Sequence, residues 1–266
     1  MIIKAKTNKT VLSLFKREEP KKVENPKKIA LVCIAKNEDN YIQEWVSYHK
    51  KLGFDDVFIY QNNWRCLVET PNLIKIKFDG DTKQVEAYNH FIQNYKHIYE
   101  WVAFFDVDEF LVLKKHGNVK DFVNNYPNKN AIAINWVFFG DSGHEKVNGN
   151  YNVLERFIMR QFGIDPHVKC IVNTFDINLR MGVHSPINCN WVDPKGRVNS
   201  GDFNHSGDDE IVQLNHYFTK TKEEYIEKIN RGRADVNEKR PLEDFDNVNN
   251  GANNVEDLTA YNFFKN

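Results

Sequence analysis

An α/β fold, with helices flanking a central sheet that is mostly parallel, is predicted by three features of the 266-residue sequence. Short apolar runs rich in β-branched residues alternate with stretches of helical periodicity, as expected when each strand is joined to the next by a helical crossover. Gly and Asn punctuate the boundaries between them. A content of 41% hydrophobic and 13% aromatic residues supplies enough apolar surface for a sizeable core.

The first strand is "IALVCIA", residues 29–35. Ile42, Trp45, Val46 and His49 then recur at helical spacing, with Leu52 beyond them, until Gly53 stops the helix. "DVFIY" follows as a second strand, completing a β-α-β unit. "LIKIKF" adds a third strand and "TKQVEAYNHFIQNYKHIYE" a second helix, which leads into "EWVAFFDVDEFLVL" at 100–113. "AIAINWVFFG" reads as another buried strand, closed by Gly140. Residues 141–210 are loop-rich, with β-like pieces such as "KCIVNTFDI", and carry His144, His167, His184 and His205; "TKEEYIEKINRGR" is a late helix. This domain, 29–234, lies between a basic arm and linker, 1–28, and an Asn-rich acidic stretch, 235–266, expected to be a poorly packed or docking tail.

Net charge is -1 and the pI about 6.8, so no global field recruits nucleic acid. Cys33, Cys66, Cys170 and Cys189 lie far apart without C-x-x-C spacing, which excludes a structural zinc pattern and fits a reduced, cytoplasmic protein. No apolar run approaches the roughly 20 residues that span a bilayer. The arm holds nine Lys/Arg against three Glu around "VLSLF", a composition suited to peripheral contact with an anionic membrane surface on its cytoplasmic face.

Residues 100–113 place Asp106, Asp108 and Glu109 inside an apolar run, where each carboxylate costs free energy unless paired or bound to a cation. In a strand, Asp106 and Asp108 share a face about 7 Å apart, with Val107 on the other. If the chain turns there, both can converge on one Mg²⁺ or Mn²⁺, ions that take hard oxygen ligands and fill their remaining positions from phosphates. Glu109, out of phase, suits bracing a neighbouring backbone or base.

The ordered series "KNEDNYIQEWVSYHKKLGFDDVFIYQNN", "WVAFFDVDEFL", "FFGDSGH", "KCIV", "GVHSP" and "LNHYFTKTKEEYIEKINRG", spanning about 29–233, resembles the GT-A-fold glycosyltransferases of the family 92 and family 2-like group, including bacterial enzymes of surface-glycan synthesis. The resemblance implies a Rossmann-like sheet that binds a nucleotide sugar, usually UDP-linked, with a D-x-D group holding a metal against the diphosphate. It implies a donor site of Ala35, Lys36, Asn37, Glu38, Gln61, Gln84, Tyr88, Asp106, Val107, Lys169 and His184, and a metal site of Asp106, Asp108 and His216, with His184 the competitor for that last place. Arg231 and Arg233 are further candidates for diphosphate oxygens. Where related sequences tend to carry an acidic residue and a Ser after the second strand, this one has "YQNNWRC".

Inverting transfer also needs a base for the acceptor hydroxyl. Asp141 and Glu145 in "FFGDSGHEK" are the expected carboxylates, with His144 a third candidate. The resulting expectation is a metal-dependent hexosyltransferase acting from UDP-galactose or UDP-glucose on a lipopolysaccharide- or capsule-type glycan or glycolipid. Paired carboxylates also serve metal-dependent nucleotidyl or phosphoryl transfer, although no P-loop sequence is present. The third reading is a non-catalytic nucleotide-sugar or glycan-binding module.

Overall fold

The computed structural model describes residues 28–176 and 178–266. Residues 1–27 of the basic arm, and the membrane contact expected of it, therefore lie outside the described residues. Among these, no helix is long and apolar enough to cross a membrane.

The chain begins with β1 (Ile29–Ala35), α1 (Ile42–Lys51), β2 (Asp56–Gln61), β3 (Leu73–Lys77), α2 (Gln84–Tyr95) and β4 (Trp101–Phe104). β4, β1, β2 and β3 lie side by side in that order, all parallel. Strand alternation sorts β1 between two cores: Ile29, Leu31 and Cys33 meet α1 through Trp45 and Val46, whereas Ala30 and Val32 share a core with Tyr88 and Phe91 of α2. The polar member of the α1 stripe, His49, is fully buried. Its Nδ1 donates to the Trp45 carbonyl (2.9 Å) and its Nε2 accepts from Leu111 N (3.3 Å). Burial lowers its pKa to about 3, so it packs as a neutral ring.

The stretch expected to be one strand is two. β5 (Glu109–Leu113) leaves the main direction after a turn in which Glu109 N donates to Asp106 O (3.0 Å) and Asp106 N to Glu109 Oε2 (2.8 Å). There follow α3 (Val119–Asn124), β6 (Ala131–Phe138), α4 (Val153–Arg156), β7 (Met159–Arg160), β8 (Val168–Asn173), β9 (Trp191–Val192), β10 (Val198–Asn199), β11 (Val212–His216) and α5 (Lys222–Arg231). "KCIV" belongs to β8, which inserts antiparallel between β4 and β6 and makes the sheet mixed. β11 runs parallel to β6 and antiparallel to β5, with His216 opposite Glu109. The carboxyl ends of β1, β2, β4, β6 and β11 and the start of β8 consequently share one edge of the sheet.

The C-terminal stretch docks, with a geometry its composition did not disclose. α6 (Glu243–Asn249), β12 (Val255–Glu256) and α7 (Thr259–Lys265) follow, with Phe245, Ala252 and Ala260 buried. β12 pairs with β7, and Phe263 meets Tyr48 at 5.3 Å between ring centroids. The polar residues contribute as well, because Asn249 and Asn253 donate to Asp141.

α5 opens with a capping box between Thr221 and Glu224. The same Glu224 carboxylate forms a buried bidentate pair with Arg156 (2.9 and 2.7 Å) and accepts from Tyr41 Oη (2.7 Å). Against the cost of burial, these donors pull Glu224 from its ordinary 4.5 to about 2. The stabilisation is present above 4.5 and is lost as the pH falls from there towards 2. Urea midpoints should drop across that window in the wild type. Glu224→Gln should be weaker at pH 7 and show a smaller drop; an equal drop in both proteins would contradict this assignment.

Candidate active site

A cavity of about 290 Å³ opens at the shared sheet edge, where ligands of open α/β sheets bind. Ile34 and Ala35 come from β1, Asn62 follows β2, and Asp106, Val107 and Asp108 follow β4. Trp136 and Phe138 of β6, His216 of β11 and Phe218 form an aromatic wall, together with His167 and His184 on either side of β8. Lys228 and Arg231 of α5, with Arg233, Asp235, Arg240 and Asp244 beyond it, form a charged wall.

The two aspartates have different environments. Asp106 Oδ1 accepts from Gln84 Nε2 (2.9 Å) and Tyr88 Oη (3.3 Å), and Oδ2 from Lys169 Nζ (2.9 Å). Lys169 is buried and also lies 3.8 Å from Glu109 Oε1. Despite its burial, Asp106 and Glu109 hold the Lys169 pKa above its ordinary value. Burial pushes the Glu109 carboxyl well up, Lys169 opposing, so the ammonium is matched chiefly to Asp106.

Asp108 Oδ2 accepts from Lys228 Nζ (2.7 Å), while Oδ1 stands 3.7 Å from His216 Nε2. Against the cost of burial, the Lys228 ammonium and then His216 hold Asp108 well below the usual carboxylate range. Lys228 itself is lowered to about 8 by burial, with Asp108 opposing and Arg240 and Lys220 adding repulsion. Other cations here are paired: Arg231 with Glu38, and Arg233 with Asp235. Lys36 and Arg240 line the cavity without an ion pair among the described residues.

The sequence model of glycosyltransferase family 92 matches residues 67–257, from before β3 to beyond β12. The chain belongs to glycosyltransferase family 92. Curated plant members of family 92 are similar to it. One from Ricinus communis is 32% identical over 137 residues, covering 47% of this chain and 25% of that protein. One from Oryza sativa subsp. japonica is 27% identical over 129 residues, covering 44% and 22%. One from Arabidopsis thaliana is 27% identical over 129 residues, covering 45% and 21%. The chain thus matches about a quarter of the length of these relatives.

A divalent ion, expected from the resemblance noted in the sequence, would fit between Asp108 and His216. Their 3.7 Å separation is too long for a hydrogen bond but lets both reach one cation at ordinary ligand distances. The nitrogen that faces Asp108 is Nε2; the other, Nδ1, is buried without a hydrogen-bond partner among the described residues. Asp106 does not fit that role as readily, because both its oxygens already accept bonds from Gln84, Tyr88 and Lys169. Among the described residues no group of three or more His, Cys, Asp or Glu could hold a metal alone, so such an ion would need further ligands from a phosphate or water.

Of the expected donor-site residues in this family 92 chain, Ala35, Lys36, Glu38, Gln84, Asp106, Val107 and His184 line the cavity. Asn37, Gln61, Tyr88 and Lys169 do not. Asn37 is exposed at a positive φ of 54°. Gln61 turns away to accept from Cys66 N (2.8 Å), and Asn62 takes its place at the cavity. Tyr88 and Lys169 act from behind, on Asp106.

Of the expected base residues, neither Asp141 nor Glu145 lines the cavity. Asp141 accepts from Gly143 N, Asn249 Nδ2 and Asn253 Nδ2, which fixes it to the C-terminal stretch. Glu145 is exposed, and His144 is turned to the Arg156 carbonyl at 2.9 Å. Lys228 and Arg240 escaped the sequence reading. Lys228 had a signal, because Glu224, Lys228 and Arg231 recur at spacings of four and three on one face of α5.

Proposed function

We propose that the chain transfers a hexose from a UDP-sugar to a hydroxyl of a glycan or glycolipid, with inversion and with Mn²⁺ or Mg²⁺. The observation that carries the donor reading is the Arg240 guanidinium, which lines the cavity beside Lys228 and forms no ion pair among the described residues. An unpaired guanidinium in a partly buried site recognises phosphate by short, charge-assisted bonds. Family membership supports a nucleotide-sugar donor. Galactose or glucose is the sugar proposed, and the uracil base follows from the resemblance in the sequence. So does a bacterial lipopolysaccharide- or capsule-type acceptor, whereas the curated relatives compared above are plant proteins. A cytoplasmic location with peripheral membrane contact through the basic arm belongs to the same reading.

Asp108 and His216 would hold the ion, which supplies positive charge where the leaving diphosphate becomes more negative. Lys228 and Arg240 add fixed positive charge on the same side, prepared before the reaction because the fold already holds them there. Asp106, clamped by Lys169, Gln84 and Tyr88, presents a fixed carboxylate edge to the donor. The aromatic wall of Trp136, Phe138 and Phe218 gives apolar faces on which a sugar ring can pack.

The test measures UDP released from UDP-galactose and UDP-glucose, with p-nitrophenyl β-glycosides or water as acceptor. Metal-dependent release is expected. Arg240→Ala should raise the Kd for UDP about 10- to 100-fold, the range of one charge-assisted hydrogen bond, and leave uridine binding unchanged. Release of pyrophosphate from nucleoside triphosphates in place of UDP from UDP-hexoses would instead support nucleotidyl transfer.

A further inference from the structure

We propose that His167, held by Asp165, is the general base that deprotonates the acceptor hydroxyl. This rests on the transferase reading and assigns the role that Asp141 and Glu145 leave open. His167 lines the cavity at the start of β8. Its Nδ1 bonds Asp165 Oδ1 at 2.7 Å, and its backbone N donates to the same oxygen at 2.9 Å. That carboxylate selects the tautomer with the proton on Nδ1. Nε2 is then the basic nitrogen, and it has no hydrogen-bond partner among the described residues.

The dyad is held rigidly. Asp165 N donates to the Trp136 carbonyl (2.8 Å), and Trp136 N to the His167 carbonyl (3.0 Å). The His167 ring stacks on Trp136 at 5.0 Å and 26°, while Phe203 packs on it at 4.6 Å. Trp136 in turn lies 4.3 Å from the ring of His216. His167 is therefore one indole away from the candidate metal ligand, and both line the same cavity.

The carboxylates of the cavity are less suited. Asp106, Asp108, Glu38 and Asp235 are each paired with a cation. Asp244 has no ion pair among the described residues, but it belongs to the same segment as Arg233 and Arg240. That is the diphosphate side in the proposed function, whereas inversion needs its base on the opposite side.

In the step, the acceptor O–H gives its proton to His167 Nε2 and the oxygen's electron pair forms the bond to the anomeric carbon. The bond from that carbon to the diphosphate oxygen breaks, and its electron pair leaves with UDP. Asp165 stays ionised beside the imidazolium, which later returns its proton to water.

The charged and titratable neighbours of His167 are Asp165, His184 at 5.7 Å between rings, and Asp202 and His205 on the segment that carries Phe203, which bridges His167. Asp202 is engaged by Ser185 Oγ (2.8 Å). Burial, followed by Lys169, pulls His184 down to about 4 and keeps it neutral at physiological pH.

His167→Gln should lower kcat for UDP release from UDP-galactose about 100- to 10,000-fold, the usual range for a lost general base, with the Kd for UDP within twofold of wild type. Asp165→Asn keeps both bonds to Oδ1 but removes the charge that stabilises the imidazolium, so it should lower kcat at least about 10-fold with the KM for UDP-galactose unchanged. A purely structural role would not split kcat from KM in this way. Wild-type turnover in His167→Gln overturns the inference, as does a larger loss of kcat in Asp244→Asn than in His167→Gln. Wild-type protein that consumes no UDP-hexose refutes the transferase reading first, and this inference with it.

Discussion

Lys169→Met is expected to destabilise the protein by about 3 kcal/mol, the lower part of the range for breaking a buried ion pair from one side. The ammonium is almost fully buried, whereas the Asp106 side chain keeps 33% of its exposure and two neutral donors, which moderates the loss. Glu109, fully buried and already pushed up, can take the neutral form when its cation disappears. Adding Asp106→Asn to Lys169→Met should recover part of the loss, because the stranded charge is then gone. Urea denaturation of the two single variants and the double variant measures this coupling. Additive effects would mean that Lys169 acts by packing and not by its charge.

Asp108→Ala should have the reverse profile, a small change in stability and a loss of turnover of at least about 100-fold. The magnitude is that of removing one group which stabilises charge in the transition state. The fold should survive because Lys228, already lowered to about 8, can lose its proton once Asp108 is gone. Asp108→Asn preserves the shape and should be as inactive, since only the charged form can hold a cation opposite His216. His216→Ala should show the same split between stability and turnover. Normal UDP release by Asp108→Asn would remove this aspartate from the reaction.

The sequence disclosed the parallel half of the sheet because β1, β2 and β4 are buried on both faces, and such strands need unbroken apolar runs. It disclosed Asp106 and Asp108 because charge inside such a run is costly. It did not disclose that Asp106 is answered by Lys169, 63 residues away, or Asp108 by Lys228, 120 away. Pairing across such distances is set by tertiary placement, here by β8 running antiparallel beside β4. Asp141 is a different case. Its position after a central strand looked catalytic, yet the Asn side chains of the docking C-terminal stretch satisfy its oxygens. An Asn-rich segment carries no apolar periodicity, so its docking through Asn249 and Asn253 left no pattern to read. His167 was one of several histidines in a loop-rich region, and only the structure places Asp165 and Trp136 against it.

The charged wall of the cavity is proposed to bind a nucleoside diphosphate through Arg240, Lys228 and a cation at Asp108 and His216. Calorimetric titration of the wild-type protein with UDP, UMP and uridine, each with Mn²⁺ and with EDTA, tests it most directly. The prediction is that UDP with Mn²⁺ binds at least about 10-fold tighter than UMP, the worth of one added charge-assisted contact, and that EDTA removes most of that advantage. Equal affinity for UDP and UMP, with or without the ion, would contradict it.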